Sequence, residues 1–319
     1  MKFFWFVLAM AGAAQLAFAQ EYPAKPIRVI VPFSPGSAMD VLLRLITPKL
    51  HEAMGQPLIV DNRVGGGGRT GTEAGAKAVA DGYNLLMTAL GPLIHTPILY
   101  RQTQFDPVRD FAAISLLATG PLVIVVHPSI PAKNVKELVE IARKRPGQLN
   151  YGSTGVGSVN HLLGEMLKFY TGTDIVHVPY KGGADAISNL LGGEVAMVMT
   201  GIPPVVALAQ AGKVRVIVTT GRKRIPSMPD VQNMAEAGLP NAEFVIWYGL
   251  VAPEATPKNI IGRLNREIVK AMAQPDVRNR YVQQGVDPET NTPEQFAQII
   301  RDDYARWARI IGATGIKLE

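Results

Sequence analysis

Short strands that each lead through a glycine-containing turn into a helix recur along the chain, and this alternation restricts the fold more than any other feature. The first unit joins a β-branched strand at residues 27–33 to a helix at 41–54, which we expect to break near Pro48. Strands are also predicted at 58–63, 83–89, 121–128, 149–154, 174–180, 195–201, 214–221 and 244–253. Such alternation is typical of mainly parallel sheets with helices on both faces, so the predicted fold class is α/β.

Two lobes are expected, because 319 residues exceed the usual size of a single domain. The extended stretches near Pro121 and Phe244 are interpreted as two places where the chain crosses between lobes. The first lobe is then discontinuous, formed by residues 20–121 plus 248–319, and the second is formed by residues 122–247. The amphipathic helices that end the chain are expected to pack back onto the first lobe.

The N-terminus has the layout of a cleaved secretory signal peptide. Lys2 precedes an apolar run at residues 3–16, and the small residues Ala17 and Ala19 follow. The alternative is a membrane anchor, but the run is shorter than the roughly 20 residues that a spanning helix needs. We therefore predict a signal peptide at residues 1–19, cleavage after Ala19 and a periplasmic location.

Composition excludes several classes of chemistry. The chain has no cysteine, which removes disulfides, thiol nucleophiles and thiolate metal sites. Its net charge of +6 comes from scattered basic residues, so no nucleic-acid partner is expected. Gly66, Gly68 and Gly71 form a literal G-x-G-x-x-G, but no acidic residue lies at the offset that a dinucleotide site requires. We predict no cofactor.

Glycine-rich turns at residues 33–40 and 151–161 lead into helix N-termini, which favour anions through unpaired N–H groups and the helix dipole. Two such ends in opposing lobes would hold a carboxylate. Ser37 and Ser158 are also expected N-caps, since both precede helical segments. For Asp40 we favour capping over ligand contact, with Arg44 as its partner one turn along the helix.

Residues at three further places in the chain are candidates for ligand contact. Tyr180 and Lys181 lie in a third turn before a helix and are equally consistent with an ordinary surface loop. Thr88 ends a predicted strand, at the sheet edge where α/β proteins bind ligands. Trp247 and Tyr248 are expected either to line the cleft with their aromatic faces or to pack in the core.

No catalytic motif is found, and no catalytic or metal-binding residue is predicted. His161 and Glu165 share a helical face, but two ligands without a third favour a capping or surface pair over a metal site. An exported hydrolase using a serine of residues 153–158 is the enzymatic alternative. It would need a histidine and a carboxylate close to that serine.

The chain resembles Bug-type receptors of the tripartite tricarboxylate transporter family over essentially all of its mature length. The matching stretches are YPAKPIRVIVPFSPGSAMD, IVDNRVGGGGRTGTEAGAKAVADGYNLL, the segment around Leu99 and Tyr100, YGSTGVGSVNHLLGEML, VHVPYKGGADAISNLLGGEV and WYGLVAPEATP.

This resemblance implies a type II periplasmic binding protein of the Venus-flytrap kind, in which two α/β lobes close on a small organic acid or related solute. It also implies delivery to a membrane permease of the tripartite type. A sensory role with a membrane histidine kinase is the alternative, and a monomer is expected. The residues expected to bind the ligand are Phe33, Ser34, Pro35, Gly36, Ser37, Asp40, Thr88, Ser153, Thr154, Gly155, Gly157, Ser158, His161, Tyr180, Lys181, Gly182 and Trp247.

The first loop departs from the usual family pattern. The family has two consecutive glycines and often a threonine before the aspartate, whereas this chain has Gly36, Ser37 and Met39. These side chains are expected to narrow the pocket or make it less polar. An amide, an aromatic acid, a monocarboxylate and a dicarboxylate all remain open as ligands.

Overall fold

The computed structural model describes residues 22–100 and 102–314, so the predicted signal peptide lies outside the described residues. Within them the strands are β1 (Ile27–Val31), β2 (Leu58–Asn62), β3 (Asn84–Ala89), β4 (Phe111–Val126), β5 (Asn150–Ser153), β6 (Val176–Pro179), β7 (Met197–Gly201), β8 (Arg215–Thr219), β9 (Val245–Pro253) and β10 (Asp287–Pro288). The mixture of strands and covering helices confirms the α/β class.

The helices alternate with these strands. They are α1 (Ala38–Met54), α2 (Arg69–Ala76), α3 (Thr96–Leu99), α4 (Val135–Lys144), α5 (Val159–Thr171), α6 (Gly183–Leu191), α7 (Val206–Gln210), α8 (Lys258–Met272), α9 (Pro275–Gln283) and α10 (Pro293–Thr314). Short 3₁₀ turns occupy Gly66–Gly68 and Pro240–Ala242, and a single π-turn occupies Gly91–His95. Across the described part of the chain, no helix has the length and apolarity needed to span a membrane.

The strands form two sheets that share β4. In the first sheet the order is β2-β1-β3-β9-β4, with β1 parallel to both β2 and β3, and β9 antiparallel to β3 and β4. In the second sheet β5 lies parallel between β6 and β7, and β4 pairs antiparallel with β7 and β8. The parallel strands of each sheet therefore end at loops that lead into helices.

Strand β4 is longer than the sequence indicated. It begins at Phe111, ten residues before the predicted start, because most of residues 111–120 are buried and pair with β9 in the first sheet. From Leu122 onward the same strand pairs with β7 in the second sheet. At the changeover Pro121 pairs with Val245, so two antiparallel strands run side by side between the sheets. The lobe boundaries proposed from sequence fall within these strands and stay a prediction.

Helix α1 runs through Pro48, where the sequence suggested a break. A proline inside a helix removes one hydrogen bond and costs about 3 kcal/mol. The apolar face nevertheless continues across it, since Ile46, Leu50 and Met54 are all buried. Burial of this face outweighs the local cost, and the helix stays whole.

The C-terminal helices pack against the first sheet. The Tyr281 hydroxyl of α9 donates to the Leu42 carbonyl of α1 over 2.8 Å, and Asn265 of α8 donates to the Ile114 carbonyl of β4 over 2.8 Å. Both hydrogen bonds connect the C-terminal helices to elements that precede residue 121 in the sequence. They hold α1, and therefore its N-terminus, in a fixed position on the sheet.

Candidate ligand-binding site

The first wall of the site is the loop between β1 and α1. Ser37 is the N-cap of α1, and its Oγ accepts a hydrogen bond from the Asp40 amide at 3.4 Å. The Ser37 carbonyl accepts a hydrogen bond from the Val41 amide. The amides of Ala38 and Met39 are therefore first-turn donors that the cap does not use. These donors belong to two residues that line the pocket described below.

The Asp40 carboxylate is occupied by protein groups. It accepts hydrogen bonds from the Gly36 amide at 2.9 Å, from Arg44 Nε at 2.9 Å and from Asn62 Nδ2 at 3.2 Å. Burial on its own would raise the pKa of Asp40, but the hydrogen bonds from Arg44, Gly36 and Asn62 outweigh it and lower the pKa. Asp40 therefore stays ionised and fixes the loop from behind.

The second wall is formed by residues 153–158 and α5. Ser158 is the N-cap of α5, accepts from the His161 amide at 3.2 Å and donates to the Gly155 carbonyl at 2.7 Å. The amides of Val159 and Asn160 are the remaining first-turn donors at this end. Both residues line the pocket.

A third helix N-terminus, that of α6, completes the site. Gly182 is its N-cap and provides no side-chain cap, so the first amides of α6 stay available to a ligand. The loop packs closely across the cleft, because a Cβ on Gly182 would overlap Ser34 Oγ. Only glycine allows the two loops to approach this far.

The loops of the two sheets also meet at a second place. Gly67 has a φ of +63°, and a Cβ there would lie 2.9 Å from the Val156 carbonyl oxygen. The Tyr100 hydroxyl donates to that same carbonyl. Loops of one sheet are therefore in contact with loops of the other.

A small pocket lies between these loops. It is lined by Phe33, Ser37, Ala38, Met39, Ala89, Gly91, Pro92, Leu122, Thr154, Ser158, Val159, Asn160, Gly183, Thr200, Gly201, Ile246 and Tyr248. The lining contains the N-termini of α1, α5 and α6. Each adds a partial positive charge, so the pocket is suited to an anion.

Most polar side chains of the pocket are engaged with the protein. Thr154 donates to Asn160 at 3.3 Å, and Asn160 donates to the Met199 carbonyl at 2.6 Å. The hydroxyls of Thr200 and Tyr248 make no hydrogen bond with the residues that the structure describes. Burial raises the pKa of Tyr248, so its phenol remains protonated and can donate.

Behind the second wall lies a stack of aromatic side chains. Ser153 Oγ lies 2.7 Å from His177 Nε2, and the His177 ring stacks on His161 with centroids 3.9 Å apart. His161 Nδ1 accepts from the Gly157 amide at 3.2 Å, and the Tyr151 ring also stacks on His177, with centroids 4.9 Å apart. The stack fixes residues 153–157, which form the loop around the ligand space.

Burial holds both histidines neutral. It lowers the pKa of His177 to about 4, assisted by the neighbouring His161, and lowers the pKa of His161 despite the nearby Glu165 carboxylate. Glu165 lies 3.8 Å from His161 Nε2 and also accepts from Tyr151 at 2.8 Å. His161 and Glu165 do form a pair. Among residues 22–100 and 102–314, no group of three side chains is placed to hold a metal ion.

The structure places four of the residues predicted from sequence in the pocket lining, namely Phe33, Ser37, Thr154 and Ser158. Another group lies in or beside the loops around the pocket without lining it. This group comprises Ser34, Pro35, Gly36, Asp40, Ser153, Gly155, Gly157, His161, Tyr180, Lys181 and Gly182. Of these, Pro35, Gly36 and Lys181 are exposed, and the Tyr180 ring packs near Gly152. Direct contact between any of these residues and a ligand stays a prediction.

Two predicted residues face away from the pocket. Trp247 Nε1 donates to Asp303 at 2.8 Å and its ring packs edge-on against Phe296 of α10. Thr88 is fully buried beneath the pocket-lining Ala89. Successive side chains of a strand point to opposite faces. Because Ile246 and Tyr248 line the pocket, Trp247 between them points to the other face of β9. Thr88 likewise points away from the face of β3 that carries the pocket-lining Ala89.

Sequence reasoning did not assign several lining residues to the site. They are Ala38, Ala89, Gly91, Pro92, Leu122, Val159, Asn160, Gly183, Thr200, Gly201 and Ile246, whereas Met39 and Tyr248 were expected near the pocket and line it. Ala38, Val159 and Asn160 lie in the first helical turn after the predicted N-caps, so their positions were a usable signal. The strand residues carried no such signal, since apolar strand positions read as core.

Comparison with known proteins agrees with this geometry, and the two sheets joined by paired strands are the fold of periplasmic binding proteins. The structure of the periplasmic binding protein BugD superimposes with a TM-score of 0.89 at 30% identity, covering 93% of this chain and 99% of that chain. Protein BugT of Bordetella pertussis is 36% identical over 98% of this chain and 96% of its own length.

Residues 42–316 match the family described as the tripartite tricarboxylate transporter family receptor. The chain therefore belongs to this family of solute-binding receptors, and within it to the Bug type. MatC from Rhodopseudomonas palustris, solved with bound malate, has a TM-score of 0.86 and 30% identity over 91% of this chain and all of its own. R. palustris Rpa4515, solved with adipate, has a TM-score of 0.89 and 32% identity over 93% and 99%.

Proposed function

We propose that this protein is exported to the periplasm, with its leader cleaved after Ala19, and captures a small carboxylate between its two lobes for delivery to a membrane permease. The observation that carries the proposal is the convergence of three helix N-termini, from α1, α5 and α6, on one pocket between the sheets. Backbone amides and helix dipoles are a general means of binding an anion without a charged side chain.

Relatives that share the fold support the choice of ligand class. MatC was solved with malate and Rpa4515 with adipate, both of which carry carboxylates. Their chains align with nearly all of this one, so the cleft region is included in the similarity. A carboxylate is accordingly the ligand class we propose here.

Capture follows from closure of the two lobes. A ligand that bridges the α1 amides of one lobe and the α5 and α6 amides of the other makes its full set of contacts only when the lobes are closed. Those differential contacts shift the population toward the closed form, with bending at the paired strands around Pro121 and Val245. The closed form is then the state that a permease recognises.

The proposed role involves no chemical transformation. Ser153 and His177 are within hydrogen-bonding distance, which is the first requirement of the hydrolase alternative. Ser153 is fully buried, however, and also accepts from the Gly155 amide at 3.1 Å. The nearest acidic group of the stack, Glu165, faces His161 and Tyr151 rather than completing a triad with His177.

Thermal unfolding of the mature protein tests the proposal. The protein is refolded to remove bound ligand and then heated with mono-, di- and tricarboxylates, amino acids and amides. A ligand at a hundred times its Kd adds about 2.7 kcal/mol, which raises Tm by roughly five degrees for a chain of this size. A shift with a carboxylate but not with its amide supports the proposal, and no shift with any carboxylate contradicts it.

A further inference from the structure

Among the residues that the structure describes, no charged side chain lines the pocket. None of the lining residues is Lys, Arg, His, Asp or Glu, so backbone amides and hydroxyls are left to meet a charge on the ligand. Arg44 is hydrogen-bonded to Asp40, and Lys181 is exposed in a loop outside the lining. Within the described part of the chain, the positive potential at the pocket lining therefore comes from helix N-termini.

These donors occupy adjoining parts of the pocket. A Cβ on Gly36, just before α1, would lie 3.8 Å from Ala184 Cβ of α6, so those two helix ends meet across the cleft. Thr154, whose hydroxyl binds Asn160 of α5, would lie 3.7 Å from a Cβ on Gly183 of α6. The three N-termini form one anion-binding region.

The rest of the pocket is mostly hydrocarbon, apart from the hydroxyls of Thr200 and Tyr248. Phe33 and Met39 approach it from the first lobe, Leu122 and Ile246 from the crossing strands, and Pro92 from the π-turn. A second carboxylate placed against this wall would lose its hydration and gain at most these two hydroxyls, which is unfavourable. An alkyl or aryl group placed there gains from burial.

From this arrangement we infer that the pocket selects a small monocarboxylic acid with an apolar tail over dicarboxylic acids, and that the Met39 side chain contributes to this selectivity. The inference rests on the proposed function and narrows its ligand class. Met39 is suited to the role because its amide lies among the anion-binding donors while its thioether chain, 6% exposed, lines the apolar part. A thioether is flexible and polarisable, and it fills irregular apolar space.

Isothermal titration of the refolded protein with matched pairs of acids tests the selectivity. Butanoate is paired with succinate and pentanoate with glutarate, since each pair differs only in replacing a terminal methyl by a carboxylate. We expect the monocarboxylate of each pair to bind at least a hundredfold more tightly. Malate, with a hydroxyl and two carboxylates, is expected to bind more weakly than butanoate.

A pair of variants tests Met39 itself. Met39→Thr replaces the thioether by a hydroxyl and is expected to narrow the ratio of monocarboxylate to dicarboxylate affinity about tenfold, whereas Met39→Leu keeps it. Met54→Thr is the matched control, because Met54 lies in the same helix with 7% exposure and does not line the pocket. Circular dichroism confirms that each variant is folded, and Met39→Gln, which keeps the side-chain length but is polar, takes the place of Met39→Thr if that variant does not fold.

The outcomes separate this inference from the proposed function. Succinate or malate binding as tightly as butanoate overturns the inference and leaves the receptor role standing. Equal effects of Met39→Thr and Met54→Thr on the affinity ratio overturn the role of Met39. Binding by no carboxylate overturns the proposed function and this inference together.

Discussion

Replacing Ala38 by proline removes one ligand donor and leaves the helix intact. Ala38 is the first residue of α1, where an amide has no acceptor within the helix and proline is a favoured residue. The preceding Ser37 has φ −66° and ψ 161°, the extended conformation that a residue before proline requires. Ala38→Pro therefore deletes the N–H that the pocket presents and little else.

The size of the effect follows from the kind of bond that is lost. A hydrogen bond to a charged group contributes about 1.5–3 kcal/mol, so the affinity for a carboxylate should fall by about 10- to 150-fold. Stability should stay level or rise by about 0.4–1 kcal/mol, because proline restricts the unfolded chain. A loss of affinity without loss of stability is the signature expected.

Calorimetric titration with the acid that stabilises the protein most gives the affinity, and thermal unfolding without ligand gives the stability. Lys258→Pro is the matched control, because Lys258 is the exposed first residue of α8 and the preceding Pro257 already has an extended ψ of 133°. Ala38→Gly keeps the N–H and should bind almost as tightly as the wild type. If Ala38→Pro binds within threefold of the wild type, the α1 N-terminus does not hold the carboxylate.

Three further changes address closure, pH and the Trp247 side chain. Gly182→Ala places a Cβ against Ser34 of the opposite loop, so titration should show weaker ligand binding while the free energy of unfolding stays unchanged. Adding Ser34→Gly should restore part of the affinity. The same affinity in Gly182→Ala as in the wild type would contradict the close approach of the two loops in the ligand-bound form. Burial lowers the pKa of His161 and His177, so the unfolded chain takes up more protons than the folded protein as pH falls through about 6.5. Chemical denaturation should therefore show the free energy of unfolding decreasing from pH 7 to 5, and decreasing less steeply in His177→Gln. The same pH dependence in His177→Gln as in the wild type would refute the lowered pKa of His177. Trp247→Phe removes the hydrogen-bond donor to the half-buried Asp303. The free energy of unfolding should fall by about 1–3 kcal/mol, and the ligand affinity should stay unchanged. A loss of affinity would show that Trp247 lies in the cleft.

The local units of the fold were accessible from sequence because their signals are local. The β-branched run before Phe33 and the cap at Ser37 predicted both the strand and the helix that frame the first loop, and Ser158 did the same for the second. Pro48 misled because an isolated proline predicts a break, whereas the apolar face of α1 is satisfied only if the helix continues. The early start of β4 at Phe111 is likewise fixed by its pairing with Pro253 of β9, 142 residues further along the chain.

The site was only partly accessible for a related reason. Helix N-termini are marked by their caps, so the anion-binding loops could be proposed from sequence. The apolar wall includes Leu122 and Ile246, whose side chains face the pocket because two distant strands pair near Pro121. Trp247 and Tyr248 were given the same expected position at the cleft, although neighbouring side chains on a strand point to opposite faces. The alternation of side chains along β9 is enough to place one of them at the pocket and the other in the core.

A crystal structure of the refolded protein with its tightest-binding acid tests the central claim most directly. The account predicts that the ligand carboxylate lies between the sheets, with its oxygens about 2.7–3.2 Å from amides at the N-terminus of α1 and from amides of α5 or α6. It also predicts that the remainder of the ligand contacts Met39 or Leu122. A carboxylate bound elsewhere, or held by an arginine or lysine side chain instead of these helix ends, would contradict the account.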